Sequence, residues 1–213
     1  MNLVRYADRT DLLERRYRTL SARTFPEYLQ HNDPGNLYWG RLYDDLPDFQ
    51  IALVDGDELV VEAHAVPVAW DGTLEDLPSG WDEAFVRGMT SDRRPTVLSA
   101  LAISVLPERQ GERLSSRMLQ SFRDTARAAG LEAVIAPVRP TLKERYPLIP
   151  IERYIEWRRD DGAQAFAALR IRFDPGRGSG LGQRGHGLDP SVEVCNPATL
   201  TTTGTAPHRF CSR

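Results

Sequence analysis

Lysine is almost missing from this chain. Lys143 is the only one, so arginine carries nearly all of the positive charge. Cysteine is scarce too: Cys195 and Cys211, both near the C-terminus, are the only two. They make neither a disulfide framework nor a zinc-ligand spacing. The four histidines, His31, His64, His186 and His208, have no metal-binding spacing either, so no metal is expected. No apolar run approaches the roughly 20 residues that cross a bilayer, and Met1–Arg5 lacks the apolar segment of a signal peptide. The expectation is a cytoplasmic protein with no membrane partner. A net charge of −3, with no basic stripe interleaved with aromatics, leaves no footprint for nucleic acid. The P-loop ending Gly-Lys-Ser/Thr and the dinucleotide pattern G-x-G-x-x-G are both absent. No G-x-S-x-G elbow surrounds Ser99 or Ser115-Ser116, which excludes the usual serine hydrolase.

What is present reads as one α/β domain with a tail. Residues 3–6 predict a short strand, and Asp8 offers an N-cap to the periodic Leu12, Leu13, Tyr17 and Leu20. Pro26 suits a helix first turn. With Asp33-Pro34-Gly35 as a breaker, residues 8–45 predict two or three short helices. Phe49–Val54, Asp55-Gly56-Asp57 and Glu58–Ala69 form a β-hairpin pattern. A helix follows around Trp81–Met89. Val97–Leu106 is a short β-branched run and predicts a buried strand. Leu114, Met118, Leu119, Phe122, Ala126 and Ala129 recur at helical spacing up to Gly130, and Leu131–Ala136 predicts the next strand. Together they make a βαβ unit, expected to be right-handed. The domain spans 1–173. Residues 174–213 are rich in Gly, Pro, Ser and Thr, too poor in apolar surface to offset chain entropy, and predict a largely irregular tail.

The turn at 107–113 joins a strand to a helix, and a helix N-terminus offers free amides and a positive dipole end to anions. The run from Leu101 through Pro107, Gln110 and Gly111 to Leu119 resembles the acyl-CoA-binding motif of the GNAT superfamily of N-acetyltransferases. There a strand ends in hydrophobic-x-Pro, and a Q/R-x-x-G-x-G/A loop opens a helix. Gln110 matches the first loop position; Arg113 stands where the family has glycine, and Ser115 where it has glycine or alanine. At a helix start φ is expected to be negative, which tolerates a Cβ, and a guanidinium suits phosphate. The resemblance covers residues 3–173 and is specific over 99–119. It implies a GNAT-like α/β fold: a mixed, mostly antiparallel central sheet with helices on both faces.

The resemblance also implies acetyl-CoA as co-substrate. The backbone at Ala102, Ile103 and Val105 would pair with pantetheine, and Gln110, Gly111, Glu112, Arg113, Leu114, Ser115 and Ser116 would hold the pyrophosphate. Tyr146, at the distance of a helical tyrosine after the next strand, would protonate the departing thiolate; a phenol with a pKa of about 10 stays protonated at neutral pH. Its other reading is a packed ring with its hydroxyl in water. Glu62 and His64 lie two apart on one strand face with Val60 and Val66 and are candidates for the base that takes the amine's proton. Their other readings are a solvated strand face and a hydrogen-bonded core histidine. Trp70, Asp71, Tyr38, Trp39 and Tyr43 are candidates to line an acceptor pocket. The implied activity is acetyl transfer to a primary amine of a small molecule or peptide, by a monomer or homodimer. The alternative is a module that keeps the fold, binds CoA weakly or not at all, and acts in sensing or interaction.

Overall fold

The computed structural model describes residues 1–24, 31–137, 145–146, 148–154, 156–157, 169–172 and 192–194. The chain forms two compact units, 1–134 and 135–213. In the first, strands β1 (Asn2–Arg5), β2 (Gln50–Asp55), β3 (Glu58–Val68) and β4 (Val97–Val105) lie side by side in chain order, each antiparallel to the next. The short β5 (Ala133–Ile135) follows next to β4.

The β2–β3 hairpin closes on Gly56-Asp57. Gly56 has φ +59° and Asp57 does not take positive φ, the sign pattern of a type II′ turn, which favours glycine at its first central position. Two register shifts interrupt the ladders. One leaves Val60 without a partner on β2, and the other leaves Leu101 as an extra residue of β4 between the pairs Ala65↔Ala100 and His64↔Ala102.

β3 is buried at every position from Leu59 to Val66, so helices must cover both its faces. The face of Glu62 and His64 meets α1 (Asp11–Arg16), a π-helical turn (Tyr17–Ser21) that continues into α2 (Ala22–Thr24), and, further along, α5 (Trp81–Thr90). The other face is covered by α6 (Leu114–Ala128), which also packs on β4. α6 buries Leu114, Met118, Phe122 and Ala126, a stripe at a spacing of four that suits one helical face. It ends in a Schellman motif: Leu131 N–H donates to the Ala126 carbonyl, Gly130 N–H to that of Arg127, and Gly130 has φ +71°. This is the α/β, mostly antiparallel architecture that the motif implied.

Some local expectations change. Asp8 ends a 3-10 turn and is held by Arg5 rather than capping a helix; α1 begins at Asp11. Asp33-Pro34-Gly35 opens α3 (Asp33–Tyr38) instead of breaking one. The Asn32 side chain caps the Gly35 amide, and proline is tolerated in a first turn. With α4 (Leu42–Asp45), the region holds four short helices among the described residues. Pro26 lies outside them. The second unit contains α7 (Ile151–Tyr154) and an antiparallel pair, β6 (Leu169–Arg172) with β7 (Val192–Val194). The rest of the tail lies outside the described residues.

α5 approaches β3 closely because position 88 is glycine. A Cβ there would stand 2.6 Å from Val66 Cγ2 and 2.8 Å from Val66 Cβ. Helix propensity alone favours Gly88→Ala by about 1 kcal/mol. The clash with a stiff β-branched neighbour should outweigh it, since overpacking costs roughly 1–3 kcal/mol. Denaturant unfolding of Gly88→Ala should show a net loss; a gain would mean the helix shifts freely.

Candidate functional site

The site begins at an unequal pairing of β4. On one edge β3 accompanies it throughout, from Val68↔Val97 to Val61↔Val105. On the other, β5 has three residues against nine. The Glu132 N–H bonds to the Thr96 carbonyl, just ahead of β4. Three residues starting there do not reach 102–105, so among the described residues no strand pairs with the far half of that edge. Ala102, Ile103 and Val105 are half-buried, in contrast to the buried first five residues of the strand.

Pro107–Arg109 then form a 3-10 turn, and the chain enters α6 through two left-handed residues. Gly111 has φ +90°, and Arg113, the N-cap, has φ +58° and ψ +24°. Arg113 is the one positive-φ residue other than glycine among the described residues. The expected negative φ is therefore wrong: this arginine takes a left-handed conformation, which favours glycine and costs an L-residue roughly 1–2 kcal/mol. It gives the helix no side-chain cap, and no acidic residue occupies the first turn. The first intrahelical bond runs from Arg117 N–H to the Arg113 carbonyl, so the amides of Leu114, Ser115 and Ser116 precede the helix's own ladder. Gln110, Gly111, Glu112, Ser115 and Ser116 are exposed around them, while Leu114 is buried and anchors the turn. Glu112 would repel an anion, but Arg109 grips its carboxylate at 2.7 and 3.0 Å and holds it below the usual carboxylate range.

One strand inward, Glu62 and His64 have no exposed surface, which overturns the solvated-face reading of Glu62. Glu62 pairs with Ser104 and His64 with Ala102, placing the two about 4.8 Å, one strand spacing, from the open edge. Glu62 accepts from the Ser21 hydroxyl at 2.9 Å and, more loosely, from Tyr6 at 3.5 Å. Its Oε2 faces His64 Nε2 at 3.6 Å. Burial works against charge on Glu62, but His64, Ser21 and Arg16 outweigh it and hold the carboxyl below its ordinary range. Burial also holds His64 below its ordinary value, against the pull of Glu62. His64 is enclosed by the rings of Tyr6, Trp39 and Tyr43 at 5.0–5.7 Å, and Arg16 lies over Tyr43 at 4.9 Å. The two groups thus form a closely spaced, fully buried acid–base pair.

Trp39 continues outward as an aromatic wall with Trp81 and Phe85. Trp81 donates its indole N–H to the Leu101 carbonyl at the β4 bulge. Tyr38 joins this wall through Phe85. Trp70 and Asp71 do something else. Trp70 is buried, with its indole on the Thr73 carbonyl, and Asp71 accepts from Thr73; together they build the turn after β3. Tyr146 lies in the second unit, partly exposed, its ring against Trp157 (4.8 Å) and Tyr154 (5.9 Å). It precedes α7 rather than riding on a helix. Sequence reasoning missed Tyr6, Arg16, Ser21, Gln50 and Trp81. Only Gln50 left a trace, as the polar residue of an otherwise apolar strand.

Among the described residues there is no cluster of three metal-ligating side chains, and no helix is long and apolar enough to cross a membrane. No family model matches the chain. An arginine N-acetyltransferase of Aspergillus versicolor is 29% identical over 166 residues, covering 71% of this chain and 56% of that protein. The chain therefore spans little more than half the length of this curated relative. Two solved structures share its architecture. The loading GNATL domain of CurA from Lyngbya majuscula superposes with TM-score 0.55 at 23% identity, over 76% of each chain. A GNAT-like decarboxylase, GphF, in complex with isobutyryl-CoA, superposes with TM-score 0.53 at 19% identity, over 73% of this chain and 75% of its own. At those identities the likeness is one of fold. The chain therefore has the fold of these GNAT-type structures.

Proposed function

We propose that the chain transfers an acetyl group from acetyl-CoA to a primary amine of a small molecule, with arginine the first acceptor to test. The observation that carries this reading is the strand–loop–helix at 101–116. An open strand edge runs into a left-handed loop that leaves three helix amides uncapped. Those amides and the Arg113 guanidinium suit a pyrophosphate, and the backbone at Ala102, Ile103 and Val105 suits the amide groups of pantetheine. Arginine as acceptor is motivated by the 29% identical relative.

In this reading the amine nitrogen attacks the thioester carbonyl, the C–N bond forms and the C–S bond breaks. The amine's proton passes to the Glu62–His64 dyad. Neither residue has exposed surface, so the proton arrives by relay rather than by direct contact. The Tyr146 hydroxyl supplies the proton taken up by the thiolate.

Calorimetry with acetyl-CoA should give one site per chain, weakened by salt because the phosphate contacts are ionic. Absence of heat and of thermal shift at millimolar cofactor would favour a module that keeps the fold without the chemistry. Arg113→Ala should weaken binding by roughly 1.5–3 kcal/mol, the scale of a charged hydrogen bond. Arg113→Gly should unfold about 1 kcal/mol less readily, because strain relief exceeds the extra chain entropy of glycine. Tighter cofactor binding in Arg113→Gly would mean that the side chain obstructs the loop.

The dyad sets the acid limb of the rate. Both groups are held below their ordinary values, so each loses its proton earlier as pH rises. Turnover should persist below the ordinary histidine pKa of about 6.5. Glu62→Gln should reduce it by about 10²-fold. An acid limb centred above pH 7, or an unaffected Glu62→Gln, would remove the dyad from the reaction.

Tyr146→Phe keeps the ring against Trp157 and Tyr154 and removes only the proton. With chemistry limiting, turnover should fall about 10²-fold with little change in KM for acetyl-CoA, as for a contact made mainly in the transition state. Retention of more than a third of wild-type turnover would show that another group protonates the thiolate.

A further inference from the structure

The position of the proton on His64 is decided two strands away from the open edge, by Gln50. Gln50 has no exposed surface and pairs directly with His64 across β2–β3. Its Nε2 lies 2.9 Å from the Leu46 carbonyl and 3.0 Å from the Ala65 carbonyl. Both partners only accept, so the atom facing them must be the NH2 group, and both of its hydrogens are used. The amide therefore cannot flip. Its Oε1, which only accepts, is left 3.2 Å from His64 Nδ1. A lone pair cannot face a lone pair at that distance, so Nδ1 carries a hydrogen.

The consequence falls on the other ring nitrogen. A neutral imidazole with its hydrogen on Nδ1 has its lone pair on Nε2, and Nε2 has no hydrogen-bond partner among the described residues. It faces Glu62 Oε2 at 3.6 Å, acceptor against acceptor. We propose that Gln50 is a positioning residue: by fixing His64 with its hydrogen on Nδ1, it turns Glu62 and His64 into one shared vacancy for a single proton. Without that constraint Nε2 would carry the hydrogen and donate it to Glu62, satisfying the pair and filling the vacancy.

The surroundings favour a vacancy over a resident proton. Arg16 from α1 supplies positive charge near Glu62. The Ser21 hydroxyl, delivered by the π-helical turn, donates to Oε1. Tyr6 and Tyr43 have their hydroxyl pKa values pushed up by burial, and Trp39 seals the ring edge-on. The inference concerns the dyad assigned above to the proton transfer, but its geometry stands whether or not that assignment does.

The test is 15N NMR of the full chain with labelled histidine, following both ring nitrogens of His64 against pH. In the wild-type protein at neutral pH Nδ1 should carry the hydrogen and Nε2 should show the shift of an unprotonated nitrogen. On acidification Nε2 alone should gain a proton. Gln50→Leu should move hydrogen to Nε2 and displace the acid limb of turnover, a change that loss of packing alone would not produce. A wild-type spectrum with hydrogen on Nε2, or one with both nitrogens protonated at neutral pH, would overturn the proposal, and it needs no variant to fold. If Glu62→Gln leaves turnover intact while the spectra follow this pattern, the catalytic assignment fails and the role of Gln50 stands.

Discussion

A carboxylate with no exposed surface must be matched atom by atom, because each unpaired charge in the interior costs several kcal/mol. Glu62 imposes that requirement in the middle of β3, and much of the first 50 residues is arranged to meet it. The turn after β1 brings the Tyr6 hydroxyl, α1 brings Arg16, and the π-helical turn brings Ser21. A π turn inside an α-helix is an uncommon device that recurs at functional sites. Here it rotates one side chain onto Oε1 without ending the helical path. α4 and the turn before it add Tyr43 and Trp39 around His64. Remove the carboxylate and these irregular short helices lose their common point of reference.

The start of α6 follows an opposite logic. It forgoes a capping side chain, generally worth about 1 kcal/mol, and holds Arg113 in a left-handed conformation that costs an L-residue a similar amount or more. Each sacrifice bears on the same feature, a set of amides that precede the helix's own ladder and have no side-chain cap. Arg109 offsets the Glu112 charge, which opposes such a use, by pairing with it, and it reaches Asp55 and Glu58 on the hairpin as well. The buried and exposed halves of the site are thus stabilised very differently: one by internal partners gathered around a carboxylate, the other by a cap withheld.

Those two halves were unequally legible in the sequence. Period and punctuation located β2, β3, β4, α5 and α6 to within a residue or two, because Gly56, Pro107 and Gly130 mark real ends. The strand–loop–helix motif was readable for the same reason. The conformation of Arg113 was not, since propensity argues against a left-handed arginine and only the surrounding turn enforces one. Gln50, Ser21 and Tyr6 were invisible as a group: they come from three separate segments, and register and a π turn, neither encoded locally, bring them to one pair of residues. Asp8 and Asp33-Pro34-Gly35 misled because a capping residue and a breaker look alike until the neighbouring hydrogen bonds are known.

The extra residue at Leu101 matters for which side chains face the dyad. Side chains alternate along a strand, so a one-residue insertion exchanges the two faces for everything beyond it. Ser99 pairs with Val66, on the face that carries Glu62 and His64. With uninterrupted alternation Ile103 and Val105 would share that face, and Ala102 and Ser104 would turn towards α6. The bulge reverses this, setting Ala102 opposite His64 and Ser104 opposite Glu62. Two small side chains therefore stand where two branched ones would otherwise crowd the buried pair. In length variants of this strand, one residue more or less would act as an exchange of faces, and a change of two residues would disturb the site less than a change of one.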